Sequence, residues 1–165
     1  MRLKVVLAVS LALNVLFLAI LLNTACPRID REAENNYRLA VHMLQQASDA
    51  IEQYHNAKSQ TDRLVGLLNA DRYIFMSTLF FKEVGSCLET RGLEPHFWTR
   101  LSTLEFGVSG HTYALISPNS QPARPMEITT KELRQLAAVM PNEFPTRAQV
   151  REINDALGFT GPEEK

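Results

Sequence analysis

Apolar residues recur at helical spacing along nearly the whole chain, and one stretch stands apart from that pattern. Val5 to Ala25, VVLAVSLALNVLFLAILLNTA, carries no ionisable side chain. As a helix rising 1.5 Å per residue it measures about 31 Å, close to the thickness of a bilayer's hydrocarbon core. It is expected to span a membrane as an uncleaved signal anchor. The long domain after it tends to translocate whatever its charge, which makes residues 1–4 a short cytoplasmic tail and leaves the bulk of the chain extracytoplasmic at the cell membrane. Asn14 falls near mid-span with no water to bond, and Ala8 and Ala12 lie four apart, so the three form a candidate self-association motif. The alternative is that Asn14 bonds its own backbone.

Two other fates of the leader stay open. Cleavage after Ala25 is disfavoured, because the apolar run from Val5 to Leu22 exceeds the roughly 7–15 residues usual for a secretory signal and Asn23 suits the cleavage site poorly. Lipidation is the other, because Leu22-Asn23-Thr24-Ala25-Cys26 resembles a bacterial lipobox with its Leu one residue out of frame. That resemblance implies a tether through Cys26.

Pro27 breaks the leader, and a new periodicity begins. Tyr37, Val41, Leu44, Ala47, Ile51 and Tyr54 recur every three or four residues, which predicts an amphipathic helix over about 29–57, with Glu34 and Arg38 spaced to pair on its surface. The polar stretch 56–62 interrupts it, and Ser59 or Thr61 can cap a second helix. In that helix Leu64, Leu68, Phe75 and Leu79 share one face while Tyr73, Met76, Phe80, Val84 and Cys87 share the adjacent one. So wide an apolar surface predicts burial against more than one neighbour. Residues 73–81, YIFMSTLFF, are too few to span a membrane and are read as core. The two helices turn back around 59–61, so positions whose numbers add to about 120 should face each other.

Glu94-Pro95 opens a third helix through Trp98, Leu101, Leu104 or Glu105, Val108 and Leu115. Gly107 and Gly110 weaken it; the persistent period favours a helix to about 116 over a strand at 112–116. A Pro-rich linker occupies 117–128. Thr129 with Glu132 and Thr146 with Gln149 each spell a capping box, predicting two short helices within 129–165. These bury Leu133, Leu136, Ala137 and Met140, then Val150, Ile153 and Leu157. Gly158 supplies a left-handed stop that lets Phe159 fold back. The fold class is therefore all-α: a transmembrane helix, then a helical bundle at 28–116 made of a long antiparallel hairpin and a third helix, then the C-terminal pair packed on it.

Charge narrows the partners. The formal net charge is −1, and removing Arg2 and Lys4 leaves 15 basic against 18 acidic side chains after the span. Such a surface suits no phosphate backbone, so nucleic acid is not an expected partner. Residues 126–165, which superficially suggest a helix-turn-helix, carry 5 basic against 7 acidic side chains, and a reading helix needs a basic surface.

Candidate chemistry is sparse. Glu52 and His55 stand at the i, i+3 spacing of di-iron bundles, but no second Glu-x-x-His occurs. His42, His96 and His111 lack ligand spacing, no glycine-rich phosphate loop is present, and Gly107-Val108-Ser109-Gly110-His111 reads as a helix bend rather than a nucleophile elbow. No cofactor or metal is expected. Cys26 and Cys87 are candidates for a disulfide or for lipidation, although the hairpin register sets them about 10 Å apart along its axis, too far for an ordinary bridge without slack at Pro27. The leading expectation is a non-enzymatic interaction module at the membrane surface, binding a protein partner or itself, with the lipid bilayer as its other partner. The alternative is a small-molecule pocket lined by Tyr73, Phe80, Trp98 and Phe106.

Overall fold

The computed structural model describes residues 31–117 and 119–159. The anchor 5–25, with Ala8, Ala12 and Asn14, and the lipidation candidate Cys26 lie outside the described residues. Among the described residues the regular elements are all helices, with α1 at Arg31–Asn56, α2 at Gln60–Glu83, α3 at Gly85–Thr90, α4 at His96–Ile116, α5 at Met126–Val139 and α6 at Arg147–Ala156. None of these helices is long and apolar enough to cross a membrane.

The hairpin forms as its periodicity predicts. Tyr37, Val41, Leu44, Ala47 and Ile51 are all buried on one face of α1, and Glu34 pairs with Arg38 at 2.7 Å on the other. Ser59 ends the polar break by capping α2, its hydroxyl accepting from the Asp62 backbone N–H at 3.0 Å. The register also agrees. A Cβ on Gly66 would stand 2.9 Å from the Tyr54 nitrogen, and the Ser77 hydroxyl donates to the Ala40 carbonyl at 2.8 Å. Gly66, Ala70 and Ser77, four and seven residues apart, are the small positions that let the two backbones close.

The third long helix, α4, runs unbroken to Ile116. Its Gly107 makes room for α5, because a Cβ there would meet the Thr129 hydroxyl at 2.8 Å. That contact displaces an expected cap. Thr129 does not begin a helix; α5 starts three residues earlier, at Met126, and Thr129 is buried inside it. Glu132 accordingly does not reach back to Thr129 but accepts from Arg124 Nη1 at 2.8 Å, clamping the preceding loop. The second box does form: Thr146 Oγ1 accepts from the Gln149 N–H at 3.3 Å, and Gln149 Oε1 accepts from the Thr146 N–H at 2.9 Å. Gly158, at φ 71°, stops α6, and the Phe159 ring then stacks 6.1 Å from that of His96.

Two groups tie the layers together. Buried Asn154 on α6 donates to the Gly92 carbonyl at 2.7 Å and accepts from the Glu94 N–H at 3.2 Å, fastening α6 to the loop between α3 and α4. In the centre, Phe81 of α2 meets Tyr37 edge-on at 5.9 Å and Phe97 of α4 at 5.3 Å.

Tyr37 is fully buried, and its hydroxyl donates to the Pro141 carbonyl at 3.0 Å, joining α1 to the α5–α6 turn. Burial pushes its phenol well above the ordinary tyrosine range. The unfolded chain therefore ionises Tyr37 first, so stability falls as pH rises above about 10. Tyr37→Phe is expected to lose about 1 kcal/mol at neutral pH, from the broken hydrogen bond. It should also show a shallower decline above pH 10, checked by denaturant titrations across that range; equal slopes in both proteins would refute the assignment.

The second helix departs from expectation. Of its apolar stretch 73–81, Ile74, Ser77, Thr78 and Phe81 are buried, but Phe75 and Leu79 are exposed, as is Leu68 two turns before Phe75 along the same stripe. The neighbours explain it: α2 packs on α1 and α4, whereas α5 settles on α1 and α4 and leaves the outer side of α2 open.

Candidate functional site

The open side of α2 is continuous with an open side of α4. On α2 the exposed apolar residues Val65, Leu68, Phe75 and Leu79, with exposed Arg72 between them, follow alternating steps of three and four. That spacing keeps one stripe facing outward, as at the seam of a coiled coil. On α4 the exposed apolar residues are Phe106, Tyr113 and Ile116.

The two stripes lie side by side. The Ser109 hydroxyl of α4 donates to the Asp71 carboxylate of α2, and the Trp98 ring covers Gly85, so the helices run antiparallel with facing positions whose numbers add to about 180. That register sets Phe75 beside Phe106, Leu68 beside Tyr113 and Val65 beside Ile116. At about 100° per residue, Phe75 lies about 40° round α2 from Asp71 and Phe106 about 60° round α4 from Ser109. Both rings therefore flank the α2–α4 seam on its outer side. Phe106 is 79% exposed and Tyr113 62%. Large apolar groups gathered on one surface make a candidate interaction site or an aggregation liability, whereas scattered ones need no explanation.

The four residues expected to line a pocket lie on different sides of these helices. Tyr73, Phe80 and Trp98 are half-buried against the core, while Phe106 projects outward. Tyr73 and Phe80 lie two and nine residues from Asp71, about 200° and 180° round α2, and so point away from α4. Trp98 alone of the four lines a hollow of about 300 Å³, shared with Lys82, Gly85, Ser86 and Glu89, where its indole N–H donates to Glu89 at 2.8 Å. A second hollow, of about 410 Å³, has His55, Glu127, Thr130, Lys131 and Arg134 as its walls.

Several of the polar groups singled out in the sequence are engaged structurally. Glu52 pairs with Arg134 at 3.1 Å, His55 shares a hydrogen bond with Thr130 at 3.0 Å, and His111 meets the Arg124 carbonyl at 2.8 Å. Ser109 and His111 thus serve different partners. Cys87 is a half-buried free thiol on α3. Among the described residues no three His, Cys, Asp or Glu side chains gather where they could hold a metal ion.

Pattern alone did not mark Gly66 and Ser77 as packing residues, nor Val65, Arg72, Tyr113 and Ile116 as parts of the outer face. The signal for the first pair was present in the small residues at 66, 70 and 77. The second group carries no signal of its own, since hydropathy does not say which side of a helix stays uncovered. The sequence matches no family model, and neither a curated protein nor a solved structure matches it.

Proposed function

We propose that this chain is a non-enzymatic interaction module, tethered to a membrane by residues 5–25 and docking a protein partner of the same membrane through the outer face of α2 and α4. The supporting observation is that face: seven large apolar side chains, 42 to 79% exposed, on two adjacent antiparallel helices. Leaving such groups in water forfeits about 25 cal/mol for each Å² that a partner could cover. Tethering complements the face, because confinement in one membrane raises the effective concentration of each partner for the other.

Site-specific photo-crosslinking in intact membranes tests the reading. A photoreactive residue in place of Phe106 or Tyr113 is expected to yield a protein adduct, and the same probe at Glu127 on α5 none. Deleting residues 5–25 should abolish the adduct. Adducts that form equally from Glu127, or that survive loss of the anchor unchanged, would sink the proposal.

A further inference from the structure

We infer that the partner of the α2–α4 face is a second copy of this chain, joined about a two-fold axis. The inference rests on reading that face as an interaction surface and adds the identity of the occupant.

Area is the first argument. The exposed fractions of the seven side chains, given the ~150–250 Å² that an aromatic residue can bury, leave on the order of 800 Å² to be covered. That is the share each partner contributes to a standard-size, stable interface. A two-fold axis uses the same patch twice and needs no second surface.

Spacing is the second. The α2 stripe through Leu68, Arg72, Phe75 and Leu79 has the three-and-four rhythm with which a helix packs against another of its own kind. An antiparallel pairing about the midpoint of 72 and 75 sets Leu68 against Leu79 of the partner copy and Arg72 over the partner's Phe75. A guanidinium over a phenyl face is favourable, and Arg is among the residues enriched in interfaces. Arg72 is thereby accommodated in an otherwise apolar stripe.

Charge is the third. The formal net charge of the whole chain is −1, so two copies approach with little mutual repulsion.

Sedimentation equilibrium of the full-length chain in density-matched detergent tests the inference. The wild type is expected to be a dimer. Leu79→Glu and Phe106→Glu should each weaken it by about 100-fold or more, since each buries a charge opposite an apolar surface. Both positions are exposed, and circular dichroism will verify that helicity is kept; Phe106→Ala is a milder second variant expected to weaken the dimer by about tenfold. Asn14→Leu separates this face from the anchor and should leave the dimer intact. A monomeric wild type, a folded glutamate variant that remains dimeric, or a dimer lost only through Asn14→Leu would each overturn the inference. A monomer whose Phe106 probe still captures a different protein would overturn self-pairing while leaving the interaction module standing. A monomer that captures nothing would remove both.

Discussion

Phe81→Ala is expected to destabilise the folded body by about 3–5 kcal/mol, the cost of truncating a buried phenylalanine. Phe81 is fully buried and stands between the rings of Tyr37 and Phe97, so it joins all three long helices at one point. Its removal loses the transfer free energy of the ring and two edge-on aromatic contacts, and leaves a cavity that three rigid helices cannot all close around. Against a total stability of roughly 5–15 kcal/mol for a single domain, that is a large fraction. Thermal melting followed by far-ultraviolet circular dichroism should show a midpoint lower by about 10 °C or more. A loss below about 1 kcal/mol would mean that Phe81 does not hold the helices together.

The second large effect comes from a residue with no side chain. Gly66→Val is expected to cost about 3 kcal/mol, because the added Cβ would meet backbone atoms of α1: the Tyr54 nitrogen at 2.9 Å and the Ala50 oxygen at 3.1 Å. Backbone cannot rotate away as a flexible side chain can. The helices must separate instead, and the hydrogen bond from Ser77 to Ala40 stretches with them. Gly110 is the control. A Cβ there meets nothing within 4 Å, so Gly110→Ala should stabilise α4 by up to about 1 kcal/mol through helix propensity alone. Parallel urea titrations of the two variants measure the contrast. If both moved stability in the same direction, the close approach of α1 and α2 would not be what Gly66 provides.

The outer face bears on how the chain behaves. Hydropathy alone makes YIFMSTLFF resemble the middle of a core, and Ile74, Ser77, Thr78 and Phe81 are buried in one. Two others are set on the surface of the folded unit, where Phe75 and Leu79 continue a stripe begun by Val65 and Leu68. An exposed apolar surface of this kind marks either an interaction site or an aggregation liability. The stripe lies beside Phe106 and Tyr113 of α4, in the antiparallel register marked by the Asp71–Ser109 contact and by Trp98 over Gly85.

Local patterns were enough for α1, α4, α6 and the start of α2, but not for the break at Val84 that makes α3 a separate helix or for the early start of α5. The stripe from Tyr37 to Ile51, the cap at Ser59, the box at Thr146 and Gln149 and the stop at Gly158 depend on residues within a turn or two of one another, so they are written in consecutive letters. The hairpin register was legible as well, because a short polar turn leaves two adjacent helices little choice but to fold back from it. Other features needed the assembled molecule. Thr129 and Glu132 spell a cap, yet Thr129 is drawn under Gly107 and Glu132 to Arg124, because contacts 22 and 8 residues away in the chain outweigh the local signal. Phe75 and Ile74 are adjacent and equally apolar, yet only Ile74 is buried. What separates them is where α5 comes to rest: on α1 and α4, away from the outer side of α2. Burial is a property of the space between elements, so apolar residues could be named from the letters, but which of them face water was decided only when the helices packed.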